Sequence, residues 1–148
     1  MKKKTIYIIL FCLILCFIWG NSMLSREVSG AISHFIADIF GGEQGATEDG
    51  HHFLRKLAHF TEFAALGAIF WLLSGEYTSD KAKRAFSAAF VGIFVPLSDE
   101  TIQIFSGRGP ALTDVWIDAA GYAVGTLLTV LAAFCLISRR RTGRISVD

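Results

Sequence analysis

FVPLSDETIQIFSGR, residues Phe94–Arg108, decides how this chain is read. It continues AFSAAFVGI, so the run from Ala85 to Phe105 has the length and apolarity of one membrane-crossing helix. Yet Asp99 and Glu100 stand side by side within it, and Gln103 follows one turn later. A charge at mid-membrane costs roughly 2.5–3.5 kcal/mol, and less near an interface. An acidic pair in such a helix therefore needs partners, and the rest of the sequence should show where they are.

Three further apolar blocks accompany it: Thr5–Leu24, Leu54–Leu73 and Trp116–Ile137. The 148 residues are 53% hydrophobic with mean hydropathy +0.50, concentrated in these blocks. The pattern predicts an all-α integral membrane protein: one domain over residues 1–148, a four-transmembrane-helix bundle with spans near 5–24, 54–73, 85–105 and 116–137. The net charge of +1 gives no sign of a nucleic-acid partner. Cys12, Cys16 and Cys135 all fall inside apolar blocks, where free cysteine packs as a small hydrophobe, so they are expected as packing or membrane-facing residues and not as disulfide partners. The first block, preceded by Lys2–Lys4, has signal-peptide elements, but its apolar run is long and its cleavage site poor; an uncleaved first helix fits better.

The basic residues sort by flank. Lys2, Lys3 and Lys4 precede the first span, Lys81, Lys83 and Arg84 lie between the second and third, and Arg139, Arg140, Arg141 and Arg144 follow the fourth. These are ten of the 14 Lys and Arg. Basic flanks stay in the cytoplasm, so both termini are expected inside and the segments 25–53 and 106–115 outside. In the first of these, VSGAISHFIADIF places Val28, Ile32, Phe35, Ile36, Ile39 and Phe40 at helical spacing, which predicts a short amphipathic external helix between spans one and two. GGEQGATEDG, residues 41–50, reads as a flexible loop.

With this topology the embedded charges gather at one depth. RKLAHFTEFAALG opens the second span and puts Arg55, His59 and Glu62 on one face, beside Lys56. GPALTDVWIDAAGYAVG opens the fourth and aligns Asp114, Asp118, Gly121 and Gly125 in one stripe. Asp99, Glu100 and Gln103 end the third. The economical arrangement is a shared polar pocket facing outward. Arg55, Lys56 and Arg108 against Glu62, Asp99, Glu100, Asp114 and Asp118 leave a formal charge of −2 with His59 neutral. That surplus calls for bound protons or for a divalent cation held by carboxylate oxygens. Arg108, in SGRGP, has flanking glycines that let backbone approach a ligand and a guanidinium fork suited to phosphate or carboxylate. Gly121 and Gly125 are spaced for close helix packing inside the bundle. Pro96, one turn before Asp99, frees a backbone carbonyl and is placed to bend the third span.

RKLAHFTEFAALG, DETIQIFSGR and TDVWIDAAGYAVG together resemble the VanZ-like family, small bacterial membrane proteins named for a teicoplanin-resistance determinant. The resemblance covers about residues 54–128, the motif-bearing core, and rests on Lys56, His59, Phe60, Asp99, Glu100, Gln103, Arg108, Asp114 and Gly121. Asp118 stands where the family often has Asn, which adds a negative charge to the site. The resemblance implies a multi-pass protein of the bacterial plasma membrane acting at the cell envelope, with glycopeptide resistance in some members.

Two functions compete. One is binding of an anionic lipid or lipid-linked cell-wall precursor through Lys56, His59, Asp99, Glu100, Gln103, Arg108, Asp114 and Asp118. The other is an intramembrane enzyme acting on a phosphate- or acyl-bearing envelope lipid, with His59 as general acid or base and Glu62, Asp99, Glu100 or Asp118 as its partners. An ion-coupled carrier is a third reading, for which four helices are few. No Ser or Cys sits in a nucleophile motif, and one embedded His is fewer nitrogen ligands than a zinc site ordinarily takes unless His51 or His52 joins it. These absences favour binding over catalysis.

Overall fold

The computed structural model describes residues 2–40, 48–107 and 111–145. Among them are five helices and no strand: α1 (Lys3–Met23), α2 (Arg26–Phe40), α3 (Glu48–Gly75), α4 (Lys81–Phe105) and α5 (Leu112–Ile145). Four of them, all but α2, are long and apolar enough to cross a membrane. Their outward faces are apolar, with Leu13, Phe17, Phe86, Phe90 and Phe134 all exposed. In water such faces would drive aggregation; in a bilayer they meet lipid tails. Cys12, Cys16 and Cys135 lie on exposed faces and none is disulfide-bonded.

Three helices outrun the spans read from hydropathy. Lys81, Lys83 and Arg84 are not in a loop but in the first turn of α4, because the Asp80 carboxylate accepts hydrogen bonds from the Ala82 and Lys83 N–H groups and starts the helix there. Glu48–Gly50, expected as loop, already belong to α3, and Asp114 lies in the first turn of α5. Hydropathy marks the slab of hydrocarbon a helix crosses; capping and backbone hydrogen bonding decide where the helix stops. The remainder of the expected flexible loop, residues 41–47, lies outside the described residues. α2 forms as its spacing predicts, with Ser25 Oγ accepting from Val28 N at its start, and Val28, Ile32, Phe35 and Ile39 making an exposed apolar stripe. α4 runs unbroken through the buried Pro96.

The spanning helices alternate in direction, and their side chains stack in layers one turn apart. Ser22, His59, Asp99 and Asp118 form one buried polar layer. Four residues further from that end of the bundle on each helix come Ile18, Phe63, Val95 and Tyr122, all buried in the main apolar cluster together with Leu66. Phe11, Ile14, Leu15, Trp19, Phe70 and Val91 pack around them. The polar layer thus sits on an apolar floor about 6 Å below it, at 1.5 Å per residue.

α3 and α5 form the closest helix pair, and glycines make it close. A Cβ on Gly125 would come within 1.8 Å of the Ala64 carbonyl oxygen, one on Gly121 within 2.4 Å of that of Phe60, and one on Gly67 within 2.2 Å of that of Tyr122. The Gly121 and Gly125 stripe is therefore spent inside the bundle, as its spacing suggested. At the opposite end, Arg84 stacks over Trp71 at 4.1 Å and donates to the Trp71 carbonyl at 2.8 Å and to Ser74 Oγ at 3.3 Å, tying α4 to α3. Lys4 lies 3.8 Å over the Tyr77 ring.

Candidate functional site

His59, Asp99 and Asp118 each lie six residues inside the ends of their apolar spans, at Phe53, Phe105 and Leu112. At 1.5 Å per residue that is a common depth of about 9 Å. The close α3–α5 packing brings His59 and Asp118 together across the helix pair, and α4 supplies Asp99 from the side. His59 Nδ1 is 3.9 Å from Asp118 Oδ1 and 4.0 Å from Asp99 Oδ2. Both carboxylates are essentially sealed from solvent, at 0% exposure for Asp99 and 2% for Asp118. Such groups persist in an apolar surrounding only with hydrogen bonds or counter-charge.

Asp99 has its hydrogen bonds. Ser22 Oγ of α1 donates to Oδ1 at 2.6 Å, and Gln103 Nε2, one turn along α4, donates to Oδ2 at 2.8 Å. Gln103 is thereby explained as a positioning group for its helix neighbour. Glu100, adjacent in sequence, points elsewhere. Its Oε1 accepts from the Ala111 backbone N–H just before α5, so it pins the entry of the helix that carries Asp114 and Asp118. Lys56 pairs with Asp114 at 3.5 Å, both partly exposed, above the buried layer. Arg108, expected as the anion clamp, lies outside the described residues, as does Pro110.

Two spaces open on this cluster. The first, of about 10 Å³, lies between Arg55, Lys56, His59, Gln103, Asp114, Ile117 and Asp118. It is the size of a single water molecule and cannot hold a lipid headgroup. The second, of about 490 Å³, lies on the other side of His59, between α1, α2 and α3. Cys16, Phe17, Gly20, Leu24, Ile32, Leu54 and Ala58 give it apolar walls; Asn21, Ser29, Arg55, His59 and Glu62 make its polar part. Arg55 and His59 border both spaces. The face predicted for Arg55, His59 and Glu62 is therefore real, and it turns toward α1 and α2 as well as toward the aspartates.

The sequence reading assigned α1 no part in the site, yet α1 supplies Ser22 to Asp99 and much of the larger cavity's wall. The signal was present in Asn21–Ser22, a polar pair closing an otherwise charge-free block at the same end as the embedded charges.

A family model described as VanZ/LLP1 matches residues 5–134. No curated protein and no solved structure matches the chain.

Proposed function

We propose that this chain, which belongs to the VanZ/LLP1 family, is a cell-envelope membrane protein that binds an anionic envelope lipid or lipid-linked wall precursor. The cavity of about 490 Å³ between α1, α2 and α3 carries the reading. Its volume suits a small-molecule ligand, and its apolar walls with a polar part at Arg55, His59 and Glu62 suit an amphiphile. The Arg55 guanidinium is a fork that fits phosphate or carboxylate, and the Glu62 carboxylate accepts from headgroup hydroxyls or amines. Lys56, beside Asp114 near the same end of α3, adds positive charge for the headgroup.

The sorting of basic residues supports a topology with both termini on the cytoplasmic side of a bacterial plasma membrane; in that topology the cavity faces the cell exterior and α2 lies along the outer surface with its apolar stripe in the lipid interface. Holding a precursor lipid there changes what the outer leaflet presents, which is the route by which this member would contribute to glycopeptide (teicoplanin) resistance. A second reading is favoured by one observation: His59 Nδ1 lies 3.9–4.0 Å from two buried aspartates, a carboxylate neighbourhood suited to an imidazole acting as general acid or base. In that reading the bound lipid's phosphate or acyl linkage is the substrate.

Native mass spectrometry of the detergent-purified protein tests binding. A specific anionic lipid should stay bound, weaken in Arg55→Ala and Arg108→Ala, and persist in Lys81→Ala at the opposite end. Bulk lipid in membrane proportions, recovered equally from all four proteins, would refute it. Retained binding with lost phenotype in His59→Gln would favour the enzyme.

A further inference from the structure

We infer that His59, Asp99 and Asp118 form a binding site for one divalent first-row transition ion, of the Mn²⁺ class. The site shares His59 with the wall of the lipid cavity, but the inference does not depend on lipid binding there.

Geometry comes first. One donor atom from each residue lies within 4.8 Å of the other two. The edges from His59 Nδ1 are 3.9 and 4.0 Å. A point equidistant from three atoms so spaced lies about 2.1–2.5 Å from each, at or a few tenths of an ångström beyond the metal–nitrogen and metal–oxygen bonds of a first-row ion. The adjoining space of about 10 Å³ admits one atom-sized guest and little else.

Charge points the same way. With both carboxylates ionised and the imidazole neutral, the three groups carry −2 in a layer closed beneath by Ile18, Phe63, Val95 and Tyr122, with Arg55 at the rim of the small space. Lys56 is engaged by Asp114. Asp118 is 98% buried, and its Oδ1, aimed at His59, has no hydrogen-bond partner among the described residues. A buried carboxylate oxygen in that position is accounted for by a cation between it and the imidazole. Asp99 already has the support expected of a metal ligand, since Ser22 and Gln103 fix its two oxygens from two different helices.

The donor set selects the class. Ca²⁺ and Mg²⁺ take oxygen ligands, whereas an imidazole in the set favours a transition ion. Three protein ligands leave further positions, which face the small space beside Gln103, Asp114 and Ile117 and would be filled by water.

The test uses the full chain in detergent, stripped with a chelator and titrated with Mn²⁺ alone. One equivalent should bind, with nitrogen coupling to a single imidazole in pulsed paramagnetic resonance. Asp118→Asn should weaken binding at least tenfold, and Gln103→Ala to a lesser degree. His59→Gln should abolish the nitrogen coupling, while His51→Gln and His52→Gln should retain it. Mn²⁺ should also raise the unfolding temperature of the wild-type chain but not that of Asp118→Asn, which separates lost binding from lost folding. If Mn²⁺ does not bind stoichiometrically to the wild-type chain, the aspartates share a proton instead and the inference is overturned. Equal binding by wild type and Asp118→Asn would also overturn it.

Discussion

Replacing Gly125 by Ala tests the physical basis of the site without touching a polar residue. The new methyl would lie 1.8 Å from the Ala64 carbonyl oxygen, where real Cβ contacts essentially never fall below 3.0 Å. The obstacle is backbone, so no side chain can swing aside; α3 and α5 must separate locally by about 1.2 Å or more to restore contact. Overpacking of this kind costs about 1–3 kcal/mol. The same separation lengthens the 3.9 Å approach of His59 to Asp118, two turns away on the same helix pair. Gly67→Ala and Gly121→Ala, with clashes at 2.2 and 2.4 Å, should follow in that order. Gly30→Ala in α2 is the control: nothing lies within 4 Å of its Cβ. Removing a helical glycine there should be neutral or stabilising by up to about 1 kcal/mol. Reversible unfolding in mixed micelles gives the free energies, and spin-label distances across α3 and α5 give the separation. A Gly125→Ala protein as stable as wild type, with an unchanged interhelical distance, would refute the close-packing argument and with it the placement of His59 against Asp118.

Asp99→Ala should destabilise more than Asp99→Asn in the same unfolding assay. Alanine leaves both the Ser22 hydroxyl and the Gln103 amide without their buried acceptor, at about 1–3 kcal/mol each, whereas asparagine keeps one oxygen. Equal losses would mean that Asp99 is not the hub that ties α1 to α4. Arg84→Ala, at the far end, removes a cation–π contact and two hydrogen bonds. It should lower stability by about 1–3 kcal/mol while leaving lipid and Mn²⁺ binding intact. Unchanged stability with lost ligand binding would contradict the separation of the two ends.

The sequence alone determined the number of spans, the end of the bundle that carries the embedded charges, and the membership of His59, Asp99 and Asp118 in one layer. These follow from one-dimensional rules: an apolar run of fixed length must cross the bilayer, and a charge inside it must lie near an end or meet a partner. The helical period further aligned Asp114 with Asp118, and Arg55 with His59 and Glu62.

Tertiary structure decided which of these groups touch. Adjacent residues on a helix point about 100° apart, so Asp99 faces the bundle centre while its neighbour Glu100 reaches the start of α5. No spacing rule links Ser22 to Asp99, 77 positions apart; only the packing of α1 against α4 makes that bond. The larger cavity is likewise a property of three helices and not of any one segment. Depth in a membrane is written along the chain, but contact between spans depends on helix rotation and crossing, which the packing of glycines and apolar side chains settles only when all the helices are present.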